Sequence, residues 1–325
     1  MGQETRQPRV MGSKVSLKSS IPMLTSILIC IIFLVWFKQP KNMANWLYTY
    51  FGEVIHPMIN KKSGSNFVKP AAYSDGGVQS PPSFWIHPPE PTFSLACHRL
   101  NPTAMYLPRV FFWFPHFLVA ALGCPCCGKQ LEKNGALPPH RVTDIDHSFY
   151  IVTWSYFCRS GCKTSFRGWS QRLLDSLLAY VRLAFPATLS RKSGLSHNVI
   201  SQLRVGNQHK MGPQGVHSLL LEMHTLRFSR FQAQYLETIF ELYQGQQSDN
   251  LQLTIHMYFE HKIPSFGNFG DLDGYAGFVP SEWYLASMLN KVIEREEGDA
   301  NQHTACLALD QLAIDDSHKV CISNS

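Results

Sequence analysis

The sequence predicts an α+β chain: a small β-hairpin module pinned by paired cysteines, a helical segment after it, and one candidate transmembrane helix before it. Three observations carry that expectation. Two close cysteine pairs, Cys124 with Cys127 and Cys158 with Cys162, flank a stretch rich in β-branched and aromatic residues. Apolar residues recur at helical spacing from Leu173 onward. One apolar run, Ile21 to Phe37, approaches the length of a bilayer span. Bulk properties agree. The 325 residues leave room for two or three domains. A hydrophobic fraction of 45% with 16% charged residues excludes a wholly disordered chain. A single long apolar run excludes a polytopic membrane protein. Nine cysteines are too few for a disulfide scaffold. The net charge of +6 conceals a gradient: +6 over residues 1–100, +7 over 101–200, +2 over 201–240 and −9 over 241–325. A basic middle suits a polyanion and an acidic end does not, so two modules with different partners are expected.

Residues 1–20 form a basic N-terminal tail. Residues 21–37, IPMLTSILICIIFLVWF, follow as a candidate transmembrane or signal-anchor helix; 17 residues is the lower edge of the roughly 17–25 that cross a bilayer. Arg6, Arg9, Lys14 and Lys18 precede the run, and Lys38 and Lys41 follow it. The lack of a small-x-small site after it argues against a cleaved leader. The basic excess before the run favours a cytoplasmic N-terminus. A buried core helix and a leader unrelated to the downstream domain are the competing readings.

Residues 38–108 read as a Pro-rich linker. Pro81, Pro82, Pro88, Pro89, Pro91, Pro102 and Pro108 leave neither helical nor strand periodicity between Val54 and Pro108, and Phe84, Trp85 and Ile86 are expected to tuck onto a neighbouring domain. Structure resumes at Arg109-Val-Phe-Phe-Trp-Phe-Pro115. Residues 109–175 form the cysteine module, with strands expected from about Arg141 to Ile145 and from Phe149 to Phe157, joined by a turn at Asp146-His147-Ser148. Residues 176–245 form a helical segment. Leu173, Leu174, Leu177, Leu178 and Val181 predict one helix that Pro186 stops. Two further helices are expected, Pro213 to His224 and Ser229 to Tyr243, split by a Thr225-Leu-Arg-Phe joint. That pair reads as a plain helical hairpin ahead of a helix-turn-helix. Residues 246–325 form an acidic tail.

The chemical signal lies in the cysteines. Cys124-Pro-Cys-Cys-Gly128 has CxxC spacing and Cys158-Arg-Ser-Gly-Cys162 has CxxxC spacing, with a predicted hairpin between them. Turns of this kind aim backbone amides at sulfur, and a hairpin that joins two of them closes four thiolates around one ion, which is zinc-ribbon-like. Gly128 and Gly161 permit the tight turns. The expected metal ligands are therefore Cys124, Cys127, Cys158 and Cys162, holding structural zinc. Cys126 is a spare thiol, and His140 and His147 rank below the four sulfurs. A disulfide pair or ordinary buried thiols are the alternatives. A closed four-sulfur shell has no open position, so such a zinc is not catalytic. Thiolates require a reducing compartment, nuclear or cytoplasmic; a luminal domain behind a signal anchor requires the opposite. Lys129, Lys133, Arg141, Arg159, Lys163 and Arg167 lie among Trp154, Tyr156, Phe166 and Trp169, a pattern that suits phosphate contact and base stacking, so DNA is a candidate partner. The alternative is a solvated basic face. No small-molecule substrate is expected.

The segments FFWFPHFL, CPCCG, PPHRVTDIDHSFYIVTWSYFC, GCKTSFRGWS, AFPATLSRKSGLS, LLLEMHTLRFSRFQAQYLE and FGDLDGYAGFVPSEWYL occur in that order. Together they resemble the zinc-binding domain of unknown function of fungal transposase-like proteins, related to the Kyakuja–Dileera–Zisupton group, over about residues 105 to 320. The family's second knuckle is Cys-x-x-Cys, one residue shorter than Cys158 to Cys162. In that family the domain commonly precedes a ribonuclease-H-like core. The resemblance implies that Leu307 to Val320 begins such a core, with Asp315 at the first catalytic carboxylate and Asp316 where the family tends to have His. Such cores need several carboxylates around two metal ions. The sequence stops ten residues after Asp315, so a truncated core without transposase activity is expected. The expectation is a non-enzymatic zinc-binding module that contacts DNA or protein. Its rival is a single-pass membrane-anchored interaction protein with a purely structural zinc.

Overall fold

The computed structural model describes Gln39 and residues 43–59, 83–96, 101–245 and 264–306. The chain divides into two compact units, residues 1–79 and 80–325. In the first, helix α1 (Asn45–Ile59) buries Leu47, Tyr48, Phe51 and Ile55, a spacing that gathers them on one helical face. The candidate transmembrane run at residues 21–37 lies outside the described residues. Among the described residues no helix is long and apolar enough to cross a membrane.

The second unit is a mixed sheet with helices against it, so the α+β expectation holds. Its strands are β1 (Trp85–Ile86), β2 (Val110–Trp113), β3 (Glu132–Ala136), β4 (His140–Thr143), β5 (Ser148–Phe157), β6 (Ser165–Arg167), β7 (Ala187–Leu189) and β8 (Gly194–Ser196). The main path runs β1-β2-β5-β4-β8-β7, with β3 and β6 joined to β5 off this path. β5 organises everything. Its first half, through Thr153, pairs in parallel with β2 and antiparallel with β4. Its second half, Trp154 to Phe157, lies between β3 and β6, both antiparallel. All four residues of β2 are buried, and Phe149, Ile151, Val152, Thr153 and Tyr156 of β5 are buried with them. Strands covered on both faces read as continuous apolar runs, which is how VFFW and FYIVTW read.

The expected hairpin is present: Val142 faces Phe149 and Thr143 faces Ser148. It does not join the two cysteine turns. β4 pairs at the far end of β5, and the strand beside Cys124 to Gly128 is β3. Its sequence EKNGA is polar and mostly exposed, so no alternation announces it. Gly135, at φ 110°, marks the register shift between Lys133 and Ala136.

The Pro-rich linker also needs correction. Trp85 and Ile86 pair with Phe111 and Val110, and Phe84 and Trp85 pack on the core of Phe111, Trp113 and Phe149. A short helix, α2 (Pro91–Ala96), and a 3-10 turn at Pro102–Met105 follow. Proline there starts elements instead of preventing them. Phe84, Trp85 and Ile86 thus take the role anticipated for them.

The expected helix from Leu173 to Val181 is two short ones, α3 (Gln171–Asp175) and α4 (Ala179–Leu183). The Ser176 hydroxyl donates to the Leu173 carbonyl at 2.7 Å and ends the first. Leu173, Leu174, Leu177 and Val181 are buried, but Leu178 is exposed. Within residues 176–245, expected as a helical segment, the structure adds the hairpin β7–β8 and a helix not singled out in the sequence, α5 (His197–Gln208). Ser196 caps α5: its Oγ accepts from the Val199 N–H at 3.1 Å.

The two helices expected at Pro213–His224 and Ser229–Tyr243 are one, α6 (Gly212–Gly245). Val216, Leu220, His224, Phe228, Phe231, Tyr235 and Ile239 are all buried, at steps of three or four. That stripe passes through Thr225 to Phe228 without a break, and no glycine or proline interrupts it, so neither a hairpin nor a helix-turn-helix forms there. Helix α7 (Glu282–Cys306) lays Leu285, Met288, Leu289 and Val292 on Val199, Leu203, Val216 and Leu220. The segment expected to begin a ribonuclease-H-like core, Leu307 to Val320 with Asp315, lies outside the described residues.

Candidate metal centre

Two turns face each other across the β3–β5–β6 end of the sheet. In the first, Gly123 bridges to Gln130, the Cys124 N–H donates to the Lys129 carbonyl at 2.8 Å, and the Gly128 N–H returns to the Cys124 carbonyl at 2.9 Å. Gly128 has φ 71°, a conformation that favours glycine. In the second, between β5 and β6, the Lys163 N–H donates to the Cys158 carbonyl at 3.1 Å and the Cys158 N–H to the Thr164 carbonyl at 3.0 Å. Lys163, directly after Cys162, takes φ 55° as the chain turns towards β6.

These turns bring together Cys124, Cys127, Cys158 and Cys162, whose sulfurs all lie within 4.8 Å of one another. Cys124 Sγ is 3.5 Å from Cys162 Sγ, and Cys127 Sγ is 3.5 Å from Cys158 Sγ. Each close contact joins one turn to the other. A tetrahedral ion with metal–sulfur bonds of about 2.3 Å requires sulfur–sulfur edges of about 3.8 Å, so the donor set fits a tetrahedral metal. The four sequence-predicted ligands are the four brought together. His140 and His147 do not join the group. His140 packs on Trp169, and burial pulls its pKa down. His147 belongs to a separate ion network.

Gly161 has a role different from the one its turn suggests. A Cβ there would lie 2.5 Å from Cys127 Sγ and 2.8 Å from Cys158 Sγ. The position needs glycine because sulfur occupies the space, not because of a positive φ. The thiols are unequally disposed to ionise. Hydrogen bonds from the Thr164 hydroxyl and backbone N–H hold Cys162 down to about 6. Backbone N–H groups of Lys129 and Cys162 lower Cys127. Burial, then the neighbouring Cys127 sulfur, pushes Cys158 up to about 11. Each turn therefore supplies one sulfur disposed towards thiolate, the form a metal binds.

The six basic residues offered as phosphate contacts are mostly engaged within the chain. Lys129 Nζ donates across the turns to the Ser160 carbonyl at 2.8 Å. Arg159 pairs with Glu132 at 2.8 Å, and Lys163 Nζ donates to the Arg159 carbonyl. Lys133 sits over Trp154, and the Arg141 guanidinium lies 3.7 Å from the Phe278 ring centroid. For Arg167 the structure gives an exposed position on β6, paired through its backbone with Ser155.

A second polar cluster escaped the sequence reading. Asp144 Oδ1 accepts from the Ile145 N–H at 3.0 Å and the Ser196 hydroxyl at 2.7 Å, and its Oδ2 lies 3.6 Å from Arg109. His147 Nδ1 donates to Asp146 at 2.6 Å, leaving Nε2 to accept from Arg109. Arg227 of α6 reaches Asp146 at 3.0 Å, and His224 Nε2 donates to the Asp144 carbonyl at 3.0 Å. The His147 hydrogen bond and the Arg227 charge hold the Asp146 carboxyl well below its ordinary range. Acids with an adjacent histidine in a β-turn were the available signal. Their partners Arg109, Ser196, His224 and Arg227 are distant in sequence. These paired groups tie the β4–β5 turn to α5 and α6.

Residues 64–266 match the family described as a domain of unknown function, DUF6729. The chain belongs to the DUF6729 family. No curated protein and no solved structure matches it. The DUF6729 match takes in both cysteine turns, all the described strands and the whole of α6, so the candidate metal centre is part of the domain that defines the family.

Proposed function

We propose that this DUF6729 chain is a non-enzymatic zinc-binding module related to the zinc-binding domain of transposase-like proteins. In this reading Cys124, Cys127, Cys158 and Cys162 hold one structural zinc. The observation that carries it is the convergence of four sulfurs from two turns at mutual distances within 4.8 Å, among the described residues. Sulfur softness and tetrahedral spacing favour zinc over magnesium or calcium, which take oxygen. Four thiolates fill the shell and leave no position for water or substrate, so the ion supports the fold and not a reaction. What it supports is the end of the sheet where β3 is polar and mostly exposed and β6 has three residues, of which Phe166 alone is buried. Binding of structural zinc contributes on the order of 10–16 kcal/mol in small modules, comparable to the whole stability of a domain.

Native mass spectrometry of the reduced chain tests the proposal. One zinc per chain is expected, with loss of zinc and of β3–β6 protection from hydrogen exchange in Cys124→Ser or Cys162→Ser. Retention of stoichiometric zinc by both variants would overturn it.

A further inference from the structure

We propose that the outer face of α6 is a homodimer surface, on which a second copy of this chain packs its own α6 antiparallel about a two-fold axis. The inference is independent of the metal reading.

The stripe from Val216 to Ile239 already buries one side of α6 in the domain. On the opposite side Leu226, Ala233 and Phe240 recur every seven residues, and Ser229 and Leu236 fall three residues after the first two of them. All five are exposed, and the large ones heavily so: Leu226 50%, Leu236 48% and Phe240 56%. Apolar side chains scattered singly on a surface are ordinary. A row of them at heptad spacing on the outer side of one helix is the seam of a helix pair.

The seam alternates in size, and that selects its occupant. Two such seams interlock where large faces small. With the axis level with a point between Ala233 and Leu236, Leu236 meets the partner's Ala233 and Phe240 meets the partner's Ser229. Read from the other copy, the same two contacts recur, as an isologous interface requires. Charge agrees. Arg230 and Glu237 are exposed on one flank of the seam. Their seven-residue spacing puts them about 10.5 Å apart along the helix, too far to pair within one chain. In the antiparallel dimer each Arg230 meets the partner's Glu237, which gives two ion pairs. Sliding the copies by one heptad instead sets Arg230 against the partner's Arg230 and Phe240 against the partner's Glu222. A parallel pair stacks Ala233 on the partner's Ala233 and leaves Arg230 and Glu237 facing the uncharged Thr225 and Gln232. One arrangement of two copies therefore satisfies both size and charge. The contact runs over about four helical turns. That is small for a permanent dimer, so association is weak and depends on concentration.

Sedimentation equilibrium of the full reduced chain, from about 1 to 100 μM, tests the proposal. The wild type should pass from monomer to dimer as its concentration rises. Arg230→Glu and Glu237→Arg each turn two attractions into two repulsions, and each should weaken dimerisation about tenfold or more. The doubly reversed chain, Arg230→Glu with Glu237→Arg, restores both pairs and should associate as the wild type does. An equimolar mixture of the two single variants should form mixed dimers, because every pair across that interface is again of opposite sign. Recovery in the double variant also shows that neither single change acts by unfolding α6. A monomer at every concentration, association that neither single reversal weakens, or no recovery in the double variant would overturn the inference.

Discussion

Replacing Gly161 with Ala adds one methyl group, and the geometry says where it goes. The new Cβ would stand 2.5 Å from Cys127 Sγ and 2.8 Å from Cys158 Sγ. Ordinary contact is roughly 3.5–4.0 Å, so each sulfur must retreat by about 1 Å. Metal–sulfur bonds tolerate about 0.2 Å. The two sulfurs come from opposite turns, so the methyl acts as a wedge between the halves of the site, and it touches a third group, the Lys129 side chain, at 3.2 Å. Overpacking of this kind costs about 1–3 kcal/mol, and distorting the support of a metal site costs about 10- to 100-fold in affinity. Competition titration with a zinc-binding dye reads the affinity, and thermal melting of the loaded chain reads the stability. Gly128→Ala is the matched control. It has φ 71° and nothing within 4 Å of a new Cβ, so it should cost about 1 kcal/mol of backbone strain with little change in affinity. Wild-type zinc affinity in Gly161→Ala, or equal affinity losses in the two variants, would refute the reasoning.

Three further outcomes follow from other parts of the fold. Gly168→Ala puts a Cβ 2.1 Å from Thr153 Oγ1, beside the carbonyl that accepts the Trp113 indole N–H at 2.9 Å; urea unfolding should show a loss of about 2–3 kcal/mol. Thr225 is exposed in the middle of α6, so Thr225→Pro should cost about 3 kcal/mol by breaking a continuous helix, whereas a tolerated substitution would restore the two-helix reading. His116 is held down from 6.5 to about 4 by burial and then by the Lys133 charge. The unfolded chain therefore takes up the proton first, so stability is complete above about pH 6.5 and falls as pH drops towards 4, by about 2–3 kcal/mol. Unfolding free energies at pH 7 and pH 4.5 should differ less in His116→Asn than in the wild type; an equal difference would exclude His116 as the source.

What could be read from the sequence, and what could not, follows from the range of the interactions involved. The four cysteines were legible because each pair is local: three or four residues fix a turn, and two such turns with a strand region between them leave little else to build. β2 and β5 were legible because burial on both faces demands apolar residues at successive positions. β3 was not, because EKNGA forms its strand only against Trp154 to Phe157, and polar residues on an exposed edge carry no period. The β7–β8 hairpin has three residues per strand, below the length at which alternation means anything. A break was expected at Thr225 to Phe228, but Arg227 there stands within one continuous helix, and its partner, Asp146, is 81 residues away in sequence. The same distance hid the whole Asp144–His147 network. Gly161 was recognised as a turn glycine, but its contact with two sulfurs exists only once both turns are in place.

The measurement that bears most directly on the account is X-ray absorption at the zinc edge of the reduced, folded chain. Four sulfur scatterers at about 2.3 Å with no nitrogen or oxygen in the first shell are expected. A shell with two or more light atoms, or no zinc in well-folded protein, would contradict it.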